Sequence, residues 1–443
     1  MRKATPAGWE PHRSIEPSNL SSSAFSQAGS NRYKIERMNL KTPTDRMLSA
    51  QSLATRRPFL TAFALSLGAA ISLGLSRFSY ALLLPPMRDD LGWTYFLSGS
   101  MNTGNALGYF IGALASPFLM RRSRAQTVLV GGSLLAGVIM MLAGLMVNAN
   151  LLMLQRVLAG LVSSFIFIAG GVLAARLSSL HPQRAGLLIG IYYGGTGLGI
   201  VLSALLVPLA LNAARAHGAA HTWQWAWLAL GAVCLLATLM MALPSAQIDG
   251  APSAPNPHGN FRLKPFAFGL AGYLMFGVGY IGYMTFVIAL LKEQGMSGGT
   301  ITWFYSALGV AVMASSRIWA GMLDRFKGGQ SMAILNGLLG VATIVPALTA
   351  APPLVFASGL LFGAIFLSVV ASTTALVRHN LPAHAWSAGI SAFTVVFALG
   401  QIIGPSVIGW IADGPGGLQR GLIFSAVGLF AGALLASRQR ALS

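Results

Sequence analysis

Charge is scarce in this sequence, and acid is scarcest of all. Only 9% of its 443 residues are charged, against about 25% in an ordinary soluble protein. Ten Asp and Glu stand against 29 Lys and Arg. A soluble core of this length could not hide a chain that is 55% hydrophobic, so the solvent it suits is lipid. Cys234 is the single cysteine and lies in an apolar run. That excludes an internal disulfide and a cysteine-built metal site, and the residue reads as a packed helix position. No Walker A pattern, kinase-like loop or metal-ligand spacing occurs, so no cofactor or metal is expected. Gly194-Gly195-Thr196-Gly197-Leu198-Gly199 looks like a nucleotide loop, but no strand precedes it and its run is apolar, so it reads as close helix packing. The net charge of +19 does not indicate nucleic acid. Ten of the basic residues lie in the first 57 positions, and most others sit in short gaps between apolar runs.

Those runs are what the sequence has in abundance. They fall near 59–86, 94–119, 126–147, 150–177, 185–211, 223–243, 266–291, 300–322, 331–350, 353–376, 385–412 and 419–437. Each is long enough, at 1.5 Å per residue, to cross a hydrocarbon core of about 30 Å. Twelve spans result. The fold class expected is an all-α polytopic membrane protein in two six-helix halves. Residues 1–57, rich in Ser, Pro, Arg and Lys, read as a disordered cytoplasmic tail; Met38 and Met47 are alternative starts downstream of Met1. Residues 58–243 form the first half and 266–443 the second. Between them, 244–265 is a polar linker punctuated by Pro252, Pro255 and Pro257.

Arg56, Arg57, Arg121, Arg122, Arg124, Arg176, Arg184, Arg262, Lys264, Arg325, Lys327, Arg378, Arg438 and Arg440 all fall on one face. The other face holds Arg88, Arg215, Lys292 and Arg420. The positive-inside rule then puts both termini and the linker in the cytoplasm of a bacterial cell, the chain being multi-pass in the inner membrane. Trp223, Trp225 and Trp227, at the outer end of span 6, read as an interfacial aromatic belt. The halves also repeat each other. Gly74-Leu75-Ser76-Arg77-Phe78-Ser79-Tyr80 overlays Gly277-Val278-Gly279-Tyr280-Ile281-Gly282-Tyr283, which matches Arg77 to Tyr280 and Tyr109 to Arg317.

The 6+6 layout, the cytoplasmic linker and the basic 2–3 and 8–9 loops resemble the major facilitator superfamily. Ala320-Gly321-Met322-Leu323-Asp324-Arg325-Phe326 is similar to its G-x-L-x-D-R-x-G loop, although the first glycine is Ala320. In the first-half copy Ser116 stands where the superfamily usually has Asp, which implies a weaker charge lock on that side. Arg156-Val157-Leu158-Ala159-Gly160 resembles the span 4 R-x-x-x-G pattern. Gly195, Gly199, Gly400, Gly404 and Pro405 resemble the glycine-rich packing of spans 5 and 11. Within the superfamily, GLSRFSYALLLPPM followed by a Gly- and Asn-bearing span 2 is most similar to the bacterial YbfB/YjiJ group. The resemblance implies a carrier without enzymatic activity. It also implies a central cavity lined by spans 1, 2, 4, 5, 7, 8, 10 and 11.

Only Arg77, Arg156 and Arg317 are charged well inside the spans, away from their ends, and no Asp, Glu or His lies deep in any. A charge at the centre of a membrane helix costs roughly 2.5–3.5 kcal/mol on insertion scales. Guanidinium is a planar fork that binds carboxylate or phosphate in pairs and stays protonated. Arg77 and Arg317, one per half, are therefore the expected ligands of a small organic anion such as a carboxylate. Tyr80, Tyr109, Tyr280, Tyr283, Asn102 and Asn105 are candidates to complete the site. The structural alternatives remain beside this. Arg77 can bond carbonyls near Gly74, or Asn102 and Asn105, and Arg317, seven residues before Asp324, can join the gate of Asp324 and Arg325. Arg156 reads as packing or gating. Transport by alternating access follows, as a monomer, with a co-transported proton or an exchanged anion as the drive. The competing readings are a proton-driven exporter of neutral or amphiphilic drugs, and a receptor that moves nothing.

Overall fold

Twelve helices of 19 residues or more organise the computed structural model, which describes residues 57–248, 262–382 and 385–442. The proposed tail, save Arg57, and most of the proposed linker lie outside the described residues. Helix α1 is Pro58–Leu91, α2 Tyr95–Arg122, α3 Ala125–Ala143, α4 Ala149–Ser179, α5 Ala185–Ala216 and α6 Thr222–Ala246. Then follow α7 Ala267–Glu293, α8 Gly298–Ile318, α9 Gln330–Leu348, α10 Pro352–Asn380, α11 Trp386–Ala412 and α12 Gly417–Ser437. Beyond a break at Trp319, α8 resumes as one short helix, Ala320–Arg325. Among the described residues there is no strand.

Ten of the twelve are both long and apolar enough to cross a membrane; α2 and α8 are the more polar pair. Their polar groups meet other helices. Asn102 of α2 donates to Thr285 of α7 at 2.8 Å, Thr103 donates to the Ile402 carbonyl of α11 at 2.7 Å, and Tyr305 of α8 donates to the Phe78 carbonyl of α1 at 2.8 Å. In a lipid solvent every such group must find a protein partner. Side-chain oxygens of Thr94, Asn148 and Ser297 cap α2, α4 and α8, each accepting from a first-turn N–H. Gly92, at φ 63°, closes α1 in the left-handed region that a side chain would strain.

Close approach is set by glycines. A Cβ on Gly199 of α5 would lie 2.5 Å from the Ala70 carbonyl oxygen and 2.8 Å from the Gly74 Cα, both on α1. In the second half a Cβ on Gly400 of α11 would lie 2.5 Å from the Leu274 carbonyl and 3.0 Å from the Gly277 Cα of α7. The α1–α5 contact is thus matched by α7–α11, with Gly74 and Gly277 in corresponding places. Overpacking of this kind costs roughly 1–3 kcal/mol. Gly199→Ala is expected to lower the thermal unfolding midpoint by several degrees. Gly186→Ala on the same helix, where a Cβ meets nothing within 4 Å, should leave it unchanged.

Residues Ala70–Phe78 of α1 form a π-helical stretch, with the Ser79 N–H reaching back five residues to the Gly74 carbonyl at 3.1 Å. The wider turn leaves carbonyls for side chains. Ser76 accepts from Arg156 at 3.0 Å, and Phe78 accepts from Tyr305. Such stretches are rare and often mark functional sites. This one carries Arg77.

Candidate functional site

Arg77 is 3% exposed and lines a cavity of about 460 Å³ between the halves. The walls come from α1, α2 and α4 on one side and from α7, α10 and α11 on the other. At its mouth stand Leu114, Ser391 and Thr394, all exposed, near the ends that carry the basic loops. We refer to this as the basic end and to the opposite one as the far end.

The guanidinium is held from both halves. It donates from Nη2 to the Gln401 side-chain oxygen of α11, and Cζ lies 5.6 Å from the centre of the Tyr109 ring of α2. The Nε–H is buried with no hydrogen-bond partner among the described residues. Among the described residues no Asp or Glu lines this cavity. A buried, permanently charged fork therefore faces a space walled mainly by rings and aliphatic carbons, with donors to spare.

Of the eight candidate ligands, Arg77, Tyr109 and Tyr280 line the cavity. Tyr80 is buried inside the first half, donating to the Ser98 carbonyl at 2.9 Å beneath the Arg156 guanidinium. Tyr283 stacks on Phe362 at 4.0 Å and shares a 3.3 Å hydrogen bond with Ser358. Asn102 accepts from Arg156 at 2.8 Å while donating to Thr285, and Asn105 donates to the Arg156 carbonyl at 3.1 Å. Arg317 is exposed, shares a helix face with exposed Val310 and Met313, and is not a cavity residue. Arg156 is 2% exposed and is bound entirely by its own half, through Ser76 and Asn102. Trp223 and Trp227 also differ from the sequence reading. Both are buried, with the Trp223 N–H on Asp90 at 2.6 Å, and only Trp225 of the three is exposed. Both rings turn into the first half, Trp223 towards Asp90 of α1 and Trp227 towards the Arg156 guanidinium of α4, 5.9 Å from the ring centre.

Sequence reasoning did not find Gln401, Tyr273, Phe276, Phe366 or Phe397, all of which line the cavity. A signal existed for some of them. Tyr273, Phe276 and Tyr280 recur at i, i+3 and i+7, one helical face. Gln401 is a lone amide in an apolar run.

The far end is shut. Asp413, at the end of α11, accepts from the backbone N–H groups of Tyr95 and Phe96 at 2.7 and 2.8 Å, filling orphan donors at the α2 N-terminus. Lys292 of α7 pairs with Asp89 of α1 at 2.8 Å, and Tyr95 donates to Glu293 of α7. Gly99 of α2 rests on Pro405 of α11, where a Cβ would meet the proline carbonyl oxygen at 2.1 Å. At the basic end Asp324 and Arg325 are exposed, with no ion pair between them or to other described residues.

Comparison with known proteins agrees with this architecture. The chain is similar to the solved structure of a bacterial homologue of the human lysosomal transporter Spinster, inward-facing and occupied. Identity is 15% and the TM-score 0.63, covering 86% of this chain and 96% of that one. It is similar to the nucleoside transporter NupG at 14% identity and TM-score 0.65, covering 86% and 98%. The human organic anion transporter MFSD10 (TETRAN) matches at 14% identity and TM-score 0.56, covering 86% and 99%. These show the fold. Among curated proteins it is 26% identical over 215 residues to the chloramphenicol efflux pump Rv0191 of Mycobacterium tuberculosis (strain ATCC 25618 / H37Rv). That match covers 45% of this chain and spans about half, 48%, of the relative. The family model described as "Uncharacterised MFS-type transporter YbfB" matches residues 69–437, nearly all of the helical region. The chain belongs to this YbfB-like family of major facilitator superfamily transporters.

Proposed function

We propose that this transporter carries a small organic monoanion, such as a carboxylate, bound at Arg77 and moved by alternating access of its two six-helix halves. The observation that carries the reading is the Arg77 guanidinium, buried at the cavity wall with an unpartnered Nε–H and no carboxylate among the lining residues. A charge so placed is expensive to bury unless something pairs with it. Gln401 supplies one neutral acceptor, and a carboxylate supplies two charged oxygens in the geometry a guanidinium prefers. The organic anion transporter among the similar structures is in keeping with this.

The basic loops orient the protein with both termini in the cytoplasm of a bacterial inner membrane. The described state, open at the basic end and shut at the far end, is then the inward-facing one. Arg317, Asp324 and Arg325 are left to the gate at the basic end, where an outward-facing state would bring them together. Spans 5 and 11, with Gly195, Gly199, Gly400 and Gly404, act as close-packed pivots. The transporter acts as a monomer. With no carboxylate among the described cavity residues, the drive we favour is an exchanged anion or a proton carried on the substrate itself.

A second reading, export of a neutral drug, is favoured by the likeness to the chloramphenicol efflux pump. Purified protein in liposomes separates the two. Labelled carboxylates and chloramphenicol are offered with and without a pH gradient. Carboxylate accumulation above that of protein-free liposomes, stimulated by unlabelled anion on the opposite side, is the expected result. Movement of chloramphenicol alone would transfer the assignment to the second reading.

A further inference from the structure

The wall facing Arg77 is a set of near-parallel rings. Tyr273, Phe276 and Tyr280 project from one face of α7, and Phe397 of α11 and Phe366 of α10 join them. Centroids are 5.5 Å apart for Tyr273–Phe276, 4.8 Å for Phe276–Tyr280, 5.3 Å for Phe276–Phe397 and 6.0 Å for Tyr280–Phe366. Interplanar angles for those pairs are 16°, 20°, 10° and 7°. Phe78, also on the cavity wall, instead meets Phe366 edge-on at 88°. Ring faces that share one direction continue a stack more readily than they hold a flexible chain.

The charge comes from the first half and the ring panel from the second. Among the described residues one cation, Arg77, lines the cavity, so one negative charge is matched and a second would be buried unpaired. A volume of about 460 Å³ suits a small molecule. From this geometry we infer that the cargo is an aromatic monocarboxylate, its carboxylate on Arg77 and its ring continuing the stack at Phe397, the half-buried member of the Tyr273–Phe276–Tyr280–Phe397 set. The ring assignment rests on the anion reading above and adds to it the body of the molecule. A ligand of this shape touches both halves at once, so binding itself draws them together.

Binding of four probes to the full chain, measured by calorimetry in detergent, tests the ring and the charge separately. Benzoate is both aromatic and anionic. Cyclohexanecarboxylate keeps the charge on a more apolar, non-planar ring, benzamide keeps the ring without the charge, and phthalate adds a second charge. Benzoate is expected to bind about three- to tenfold more tightly than cyclohexanecarboxylate, the scale of a stacking preference. It should bind at least about tenfold more tightly than benzamide or phthalate. Phe397 is half-buried, and Phe397→Leu should lower benzoate affinity about three- to tenfold and so remove most of its preference over cyclohexanecarboxylate. Equal or tighter binding of cyclohexanecarboxylate overturns the ring inference and leaves the anion site standing. Benzamide binding as tightly as benzoate overturns the anion reading beneath it. Phthalate binding as tightly as benzoate overturns the single-charge assignment. No benzoate binding at millimolar concentration overturns the inference outright.

Discussion

Arg77→Gln is expected to abolish binding and transport of organic anions while the protein still folds. Among the described residues the side chain contributes the only positive charge on the cavity wall. A paired, charge-assisted contact in a desolvated site is worth about 2–3 kcal/mol or more, which corresponds to a loss of roughly 30- to 150-fold in affinity. Arg77→Lys should retain part of this, because a point charge remains without the planar fork. Gln401→Glu makes the complementary test without touching the arginine. Gln401 already accepts from Nη2, so a carboxylate there would occupy the guanidinium from within the protein. Anion affinity should fall about as far as in Arg77→Gln, yet thermal stability should rise or hold, since a buried charge gains its partner. A purely structural Arg77 would give the opposite pattern for Gln401→Glu, with stability changed and anion affinity untouched. Binding isotherms and melting curves on the same samples read both quantities.

The second large effect concerns the far end. Gly99 and Gly409 let α2 and α11 touch, and a Cβ there would stand 2.1 Å from the Pro405 carbonyl and 2.3 Å from the Tyr95 carbonyl. Those contacts exist only while the far end is shut. Added methyls therefore penalise one conformation of the cycle rather than the fold, by about 1–3 kcal/mol each. A penalty of that size shifts a two-state population by roughly 5- to 150-fold. Gly99→Ala combined with Gly409→Ala is expected to hold the far end open and to stop net transport while binding persists. Asp413→Asn should act in the same direction more weakly, by loosening the carboxylate that accepts from the first N–H groups of α2. The readout is alkylation of a cysteine at Ala289, a buried residue beside Glu293 in the far-end crevice, in a Cys234→Ala background. Its rate should rise about tenfold or more in the double alanine variant. Unchanged alkylation would show that these glycines do not govern the gate.

The helical architecture could be read from the sequence because lipid leaves few choices. Apolar runs of sufficient length become spanning helices, and ten of the twelve long helices meet that measure in the structure itself. The glycines near 195–199 and 400–404 were readable as packing for the same reason, since in a bilayer helices gain little from greasy side chains and much from close approach. Depth and charge single out Arg77 in the sequence, and in the structure it lines the cavity. Direction was not readable. Arg77 and Arg317 look alike in sequence, yet one turns into the cavity and the other is exposed. That difference follows from which face of α8 packs on α5 and from the π-helical turn of α1, neither of which leaves a mark in composition. Tyr80 and Tyr283 show the limit in another way. Each is a ring with a hydroxyl on a cavity-type span, but each hydroxyl is taken within its own half, by the Ser98 carbonyl and by Ser358. The aromatic wall escaped notice because Phe and Tyr in a membrane span are ordinary. Only the near-parallel placement of rings from α7, α10 and α11 sets them apart, and that placement is a tertiary property.

The most direct measurement is the position of a bound anion. Crystals grown with 4-bromobenzoate allow the bromine to be located from its anomalous scattering, independently of how the carboxylate is built. A single strong peak is expected beside the Phe397 ring, with the carboxylate within hydrogen-bond distance of the Arg77 guanidinium and the Gln401 oxygen displaced from Nη2. A transport-competent protein whose bromine peak lay away from Arg77, with the Arg77–Gln401 bond intact, would contradict it.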